Sequence, residues 1–322
     1  MDEIVKETMK ILQDIVTMDT NYIRKTAKRQ QYIEGYLQDN KIDYHTLEFY
    51  VPVPDFARYE LYADGEKVPV LPNGLESGKI EGPYLKDSAD LDSNYPYPNI
   101  NFCSRAEPNA IATPVFYRAP ALAISRRDVP KVLNAREVYG YLDVRVRDVK
   151  TKTFLIGNVN NPKRVGVVHY DALWTGAVDN SVSVALILPM LRAGELDLKD
   201  NLIVLFGFEE VTFFYDYWEY TMRKTVEGIL EQFGFDVREK EVVVVDSFGH
   251  RDTVVVDLRG REPKTLTELV IYDSYKRLGR NLVQITEPME DLFLIYHSDM
   301  DTVDKVDVGK VEIARDYVRQ FL

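Results

Sequence analysis

Four apolar runs in the second half of the chain each stop at a side chain able to ligate a metal. Val165-Gly166-Val167-Val168 is followed by His169. Leu202-Ile203-Val204-Leu205-Phe206 leads through Gly207-Phe208 to Glu209-Glu210. Val242-Val243-Val244-Val245 is followed by Asp246, and Leu292-Phe293-Leu294-Ile295-Tyr296 by His297. In open α/β sheets the carboxyl ends of the strands converge on a crevice where ligands bind. Groups at such ends can meet across sequence gaps as long as the 128 residues from His169 to His297. A fifth group, Asp179, lies ten residues after His169 in Gly176-Ala177-Val178-Asp179-Asn180, where the glycine lets the loop turn back.

Two imidazoles and three carboxylates suit a borderline divalent ion such as zinc, with bonds of about 2.0–2.2 Å. Charge favours two ions: three carboxylates and one bridging hydroxide balance two divalent cations, whereas one cation leaves carboxylate in excess. Of the neighbours Glu209 and Glu210, only one can readily face a given metal, because adjacent residues at a strand end point different ways. The other is then available as a base that takes a proton from water and delivers it to a leaving amine. Asp171, two residues beyond His169, is placed to fix the imidazole tautomer. The two remaining histidines are His45, read as structural, and His250, which could touch substrate or serve as a loop contact.

The elements that must carry these groups are legible in outline. Ile4, Val5, Ile11, Leu12, Ile15 and Val16 fall at helical spacing, and after the capping pair Asp19-Thr20 a second helix carries Ile23, Ala27, Ile33 and Leu37. Lys25, Lys28 and Arg29 on that helix read as a solvated face. Between Pro52 and Pro130 lie 11 of the 15 prolines, hostile to helices and compatible with edge strands and loops. This marks a β-rich module over 51–150, with a hairpin turning on Asp64-Gly65 and a strand from Tyr139 to Val149. From 151 to 322, apolar runs alternate with helical stretches, predicting an α/β fold with a largely parallel central sheet covered by helices on both faces. Asn180-Ser181 can cap a helix from Val182 to Leu191 that Pro189 kinks or ends, and an amphipathic helix with Val311, Ala314, Val318 and Leu322 closes the chain. The predicted organisation is therefore one domain from 1–50 plus 151–322, with 51–150 inserted.

Composition narrows the partners. The chain of 322 residues carries a net charge of -12, which repels phosphate backbones and anionic membranes. No apolar run reaches the ~18 residues of a membrane span. The acidic, amphipathic start Met1-Asp2-Glu3-Ile4 is unlike a secretory signal, so a cytoplasmic location is expected, without nucleic acid or membrane and with oligomerisation possible. The single cysteine, Cys103, excludes an intrachain disulfide and a cysteine zinc knuckle.

Taken as a set, His169-Tyr170-Asp171, Gly176-Ala177-Val178-Asp179-Asn180, Phe208-Glu209-Glu210, Asp246-Ser247-Phe248-Gly249 and His297-Ser298-Asp299-Met300-Asp301-Thr302 resemble the cocatalytic dizinc exopeptidases. These form metallopeptidase family twenty-eight, which includes bacterial leucyl aminopeptidases and animal glutaminyl cyclases. The motifs occur in the family's order over roughly 160–322. The resemblance implies a zinc-peptidase fold of the phosphorylase/hydrolase-like type. It further implies that Asp179 bridges two metals, that His169 and Asp246 complete one site, and that Glu210 and His297 complete the other. By the same resemblance Glu209 is the general base and Asp301 can lie behind the ligands; Asp171, behind His169, is counted with Glu209 as catalytic. Residues 51–150 resemble a protease-associated insert, most visibly in Pro120 to Asp128. The chain departs from the family pattern at Val211 to Trp218 and at Thr286 to Asp291, both of which would shape a substrate pocket.

The expected function is metal-dependent peptide-bond hydrolysis by an aminopeptidase holding two divalent ions, zinc first, with cobalt or manganese as substitutes. The substrate is a peptide or small amide. Alternatives are a glutaminyl cyclase, a small-amide deacylase or carboxypeptidase, and a non-enzymatic binding protein on the same fold. The aromatic run Phe213 to Trp218 could line a hydrophobic specificity pocket or pack in the core.

Overall fold

The computed structural model describes residues 2–214 and 217–322 and divides them into two compact units. One unit runs to Val51 and continues through Val149–Leu292 and Thr302–Leu322, and the other comprises Pro52–Asp148 and Phe293–Asp301. In chain order the elements are α1 (Glu3–Val16), α2 (Tyr22–Asp39), β1 (His45–Ala63), β2 (Glu66–Val68), β3 (Leu71–Pro72), β4 (Gly78–Glu81) and β5 (Leu85–Asp87). They continue with β6 (Asn99–Phe102), β7 (Ala121–Ala123), α3 (Val129–Asn134), β8 (Val138–Gly157), β9 (Arg164–His169), α4 (Val182–Ala193) and β10 (Asn201–Phe206). The last are α5 (Tyr220–Phe233), β11 (Glu241–Val245), β12 (Val254–Asp257), α6 (Leu266–Tyr275), β13 (Leu282–Thr286), α7 (Met289–Leu292) and α8 (Val308–Phe321).

In the first unit the strand order is β12-β13-β11-β9-β10, continued by the ends of β8 and β1. β13, β11, β9 and β10 are parallel, in the register Val244↔Val167 and Phe206↔His169, while β12 and β8 flank them antiparallel. Parallel strands covered on both sides need apolar side chains on both sides, which explains why these segments read as continuous Val/Ile/Leu runs. On one face Val165, Val167, Val204, Phe206, Val242 and Val244 pack against Met222, Val226 and Ile229 of α5 and Ile271 and Tyr275 of α6. On the other face Gly166 leaves room for the Leu322 side chain, which a Cβ there would meet at 2.7 Å. The expected α/β architecture with helices on both faces is what the chain adopts.

Several local expectations are corrected. The run Leu292 to Tyr296 is not a strand: it leaves α7 as consecutive turns, although Leu292, Phe293 and Ile295 are buried. A short apolar run cannot distinguish a strand from a buried turn, and the fourth parallel strand is β13, all five of whose residues are buried. Of the two roles expected for Pro189, ending α4 is excluded: Pro189 lies inside the helix, which continues to Ala193 and stops at Gly194, whose φ of 68° suits glycine. Ser181 makes no side-chain cap, and Asn21 rather than Asp19-Thr20 caps α2 by accepting from the Arg24 amide. Lys25 and Arg29 are not a solvated face. Both are 1% exposed, and only Lys28 of the three reaches solvent. The Arg29 guanidinium donates to the carbonyls of Ile15 and Tyr170 and to Ser181 Oγ, at 3.3, 3.2 and 2.7 Å. It satisfies acceptors at the end of β9 and at the start of α4, a demand invisible to charge patterning.

The second unit is built from the distal parts of β1 and β8. The hairpin β1–β2 turns on Asp64 and Gly65, both at positive φ, with Ala63 paired to Glu66. β4 pairs antiparallel with β8, and β3-β7-β6-β5 form a separate four-stranded sheet. Leu61, Val68, Ile80, Ile100, Leu122, Ile124 and Leu142 fill its core. Asn73 and Asn101 exchange amide hydrogen bonds of 2.8 and 3.0 Å inside it.

Replacing Arg29 by Met should destabilise the protein by about 1–3 kcal/mol, because the apolar stem is kept while buried acceptors lose their donor. Urea unfolding followed by far-ultraviolet circular dichroism measures this; an unchanged midpoint would show that the guanidinium contributes nothing net.

Candidate functional site

At the carboxyl ends of the parallel strands of the first unit the backbone bends abruptly, and the bends aim side chains into one buried cluster. Phe208, between β10 and Glu209, has a φ of 60°, and Ser247, directly after Asp246, has a φ of 54°. Asn180, directly after Asp179, has a φ of 110°. Non-glycine residues adopt this region at a cost of order 1–3 kcal/mol each when the surroundings over-determine it. The approach to Phe208 is also tight: a Cβ on Gly207 would sit 2.4 Å from the Tyr170 ring, so glycine is required where the loop passes this side chain. Asp179 itself lies in an irregular turn over Ala177–Ser181 that precedes α4.

His169, Asp171, Asp179, Glu209, Glu210 and Asp246 are all buried. His169 Nδ1 lies 3.2 Å from Asp171 Oδ1. Since a carboxylate accepts, Nδ1 carries the proton and Nε2 is the nitrogen presented to the other acids. Nε2 is 3.6 Å from Asp246 Oδ1 and 3.9 Å from Glu209 Oε2. Asp171 Oδ2 accepts from the Tyr22 hydroxyl at 2.5 Å and from the Glu210 amide at 3.0 Å. Asp246 Oδ2 accepts from the Tyr275 hydroxyl at 2.7 Å. Ser247 Oγ is 2.9 Å from both Asp246 Oδ1 and Asp179 Oδ1, and its single proton serves one of them at a time. Asn180 Nδ2 donates to Glu210 Oε1 at 2.5 Å. The two neighbouring glutamates thus face different partners, as expected from strand-end geometry.

The electrostatics follow from crowding acids in a dry site. Burial first, and then the charges of Glu210, Asp171 and Asp246, drive the Glu209 carboxyl well above its ordinary range, against the opposing pull of His169. Burial disfavours a charged His169 ring, but Glu209, Asp171 and Asp246 outweigh it and raise its pKa well above the usual value. Burial would also raise Asp171 and Asp246; His169, with the hydrogen bonds from Tyr22 and Tyr275 respectively, holds both below the carboxylate range.

This donor set fits divalent cations. Two ligand atoms bound tetrahedrally at about 2.0–2.2 Å are about 3.3–3.6 Å apart, the spacing found between His169 Nε2 and Asp246 Oδ1. Asp179 and Glu210 offer a second pair of carboxylate oxygens within 4.8 Å of one another. Asn180 Oδ1 is buried and has no hydrogen-bond partner among the described residues, an acceptor that a bound cation or water could use.

The remaining expected residues lie as follows. His297 belongs to the second unit, where it is buried at a φ of 48° with its ring stacked on Tyr296 at 3.8 Å. Its Nδ1 is 3.3 Å from the Thr113 carbonyl, which can only accept, so Nε2 carries the lone pair. Asp301, in the same unit, is 1% exposed. His250 is a loop contact in the first unit: its ring is 3.1 Å from buried Glu287, which also accepts from the amides of His250 and Arg251. His45 is exposed and packs edge-on against Phe233. In the aromatic run, Tyr215 and Asp216 lie outside the described residues; Phe214 stacks on Tyr220 at 4.0 Å, and Tyr217 is buried.

Tyr22, Tyr275, Ser247 and Asn180 were not singled out from sequence as groups touching the acids, and neither was Glu287 at the end of β13. Ser247, Asn180 and Glu287 carried a usable signal, a polar residue at a predicted strand or motif end. The tyrosines carried none, since each sits in a helix far along the chain.

No protein-family description matches the sequence, and no curated protein matches it. Solved structures do. The chain is similar to a zinc aminopeptidase from Bacillus subtilis with a TM-score of 0.65 at 14% identity, over 98% of this chain and 93% of that one. It is similar to a peptidase precursor of family twenty-eight from Shewanella amazonensis with a TM-score of 0.63 at 13% identity, over 99% and 94% of the two chains. A glutaminyl cyclase from Porphyromonas gingivalis gives 0.52 at 10% identity, over 99% and 98%. At such identities the likeness is one of architecture, and the chain has the fold that zinc aminopeptidases and glutaminyl cyclases share.

Proposed function

We propose that this protein is a metal-dependent aminopeptidase that releases the N-terminal residue of peptides. The observation that carries the reading is the convergence of His169 Nε2, Asp246 and Glu209 within 3.6–3.9 Å in a buried strand-end cluster, with Asp171 behind the ring. The fold shared with zinc aminopeptidases supports it. In this reading His169, Asp246 and Asp179 would hold one divalent ion and Glu210, His297 and Asp179 a second, zinc being the first choice. When bound, the ions neutralise the carboxylates, polarise the scissile carbonyl and acidify water.

The other steps belong to the chain. Glu209 takes the proton of the attacking water at its carboxylate and returns it to the leaving amine nitrogen. Asp171 keeps Nδ1 of His169 protonated, so Nε2 faces the cluster. Acidic side chains around the cleaved bond hold an ammonium group and reject a carboxylate, which selects a free N-terminus. We read 51–150 as an inserted module of the protease-associated kind.

Protein purified without chelator should contain about two divalent ions per chain by elemental analysis, on the two-metal charge balance. Asp179→Asn should weaken both sites. A ratio that stays near one, together with cyclisation of N-terminal glutamine, would replace this reading with a glutaminyl cyclase.

Glu209→Gln should keep the metals and the fold while turnover falls by about 10²–10⁴, the usual worth of a positioned acid-base group. Glu210→Gln should instead lose metal. An exchange of these two phenotypes would reverse the roles assigned within the pair.

Substrate class is tested with Leu-, Ala-, Lys- and Glu-anilides and their N-acetyl forms. Cleavage of the free amines is expected, fastest for apolar first residues. Faster cleavage of the acetylated forms would identify a deacylase, and cleavage of neither would favour a binding protein.

A further inference from the structure

His169 stands between two aspartates, Asp171 at Nδ1 and Asp246 at Nε2. In each aspartate Oδ1 is the oxygen nearest the ring, and in each Oδ2 accepts from a buried tyrosine hydroxyl, Tyr22 at 2.5 Å and Tyr275 at 2.7 Å. The two tyrosines come from unrelated elements. Tyr22 is the first residue of α2, which joins α1 and α4, whereas Tyr275 is the last of α6, in the core formed with α5. The terminal torsion of an aspartate is broad and roughly two-fold, so a carboxylate with only one oxygen engaged can swing. Fixing Oδ2 fixes the plane and aims Oδ1. Tyr22 does more: its oxygen also lies 3.4 Å from the Val211 amide, and Asp171 Oδ2 takes the Glu210 amide as well. The segment bearing Glu209 and Glu210 is thereby tied to the carboxylate that orients the imidazole.

We propose that Tyr22 and Tyr275 are positioning residues for the cluster, Tyr22 aiming His169 through Asp171 and Tyr275 aiming Asp246, which faces the ring's other nitrogen. The consequence for metal binding rests on the metallopeptidase reading; the consequence for the ring does not.

The test uses the full chain with Tyr22→Phe, Tyr275→Phe and, as a control, Tyr170→Phe. Tyr170 is also buried, but its hydroxyl donates to the Lys152 carbonyl rather than to either aspartate. Two readouts are taken after circular dichroism has established folding. In metal-free protein labelled with ¹⁵N-histidine, the His169 Nδ1 proton should exchange faster with solvent in Tyr22→Phe than in wild type or Tyr170→Phe. Zinc affinity by chelator competition should fall by about 10–100-fold in Tyr22→Phe and Tyr275→Phe, the usual cost of losing a group behind a ligand. The visible spectrum of the cobalt-loaded protein should change with it. Unchanged ring-proton exchange in Tyr22→Phe together with unchanged zinc affinity in both variants would overturn the proposal, as would equal effects from Tyr170→Phe. If Tyr22→Phe does not fold, unchanged zinc affinity in Tyr275→Phe overturns the proposal; if Tyr275→Phe does not fold, unchanged ring-proton exchange and zinc affinity in Tyr22→Phe do so. If wild type binds neither zinc nor cobalt, the metallopeptidase reading fails while ring-proton exchange still decides the role of Tyr22.

Discussion

Five acids of one unit, Asp171, Asp179, Glu209, Glu210 and Asp246, are buried in one linked cluster, three of them beside the His169 ring, and much of the surrounding structure answers their mutual repulsion. Two like charges 4 Å apart interact by about 4 kcal/mol at an effective dielectric of 20. The chain responds with donors aimed at named oxygens: Tyr22 and the Glu210 amide on Asp171, Tyr275 on Asp246, Ser247 between Asp246 and Asp179, and Asn180 on Glu210. Burial first, and then the repulsion these donors leave uncompensated, forces the Glu209 carboxyl well above its range. A cluster built in this way has use for cations, and that logic underlies the functional proposal.

The backbone bears the same demand. Parallel strands deliver their carboxyl ends to one side of the sheet, but a strand that simply continued would carry alternate side chains to opposite faces. Left-handed bends at Phe208 and Ser247, and the turn at Asn180, redirect the chain beside Glu209, Asp246 and Asp179 respectively. Gly207 admits the Tyr170 ring against the loop. Strain of this kind persists where the surrounding structure over-determines the backbone. Arg29 belongs to the same framework, tying the carbonyl of Tyr170 to the start of α4 from a helix more than a hundred residues earlier.

Structural likeness separates two levels of inference. A shared architecture at 10–14% identity spans peptidases and cyclases alike, so chemistry must be argued from side chains. The positions where this chain departs from the exopeptidase motifs include the strand end Thr286-Glu287. There Glu287 is absorbed in holding His250 and the amides of His250 and Arg251.

The sequence by itself determined the class of fold, because strands covered on both faces must be apolar throughout and helices must repeat every three to four residues. It also marked His169, Glu209, Glu210 and Asp246, because three of the apolar runs are strands and the first polar residues after them lie at the strand ends. Where several segments satisfy the same local rule, the sequence could not choose. Leu292 to Tyr296 is as apolar as β13, yet only tertiary packing assigned the fourth parallel strand to Leu282–Thr286. The fate of Lys25 and Arg29 was likewise decided by which face of α2 met carbonyls needing donors. The tyrosines were beyond sequence altogether: a hydroxyl reaches a carboxylate 149 residues away, as from Tyr22 to Asp171, only through the packing of whole helices on the sheet. Local pattern encodes what each segment can bury, and only the assembled layers determine which buried polar atoms must find one another.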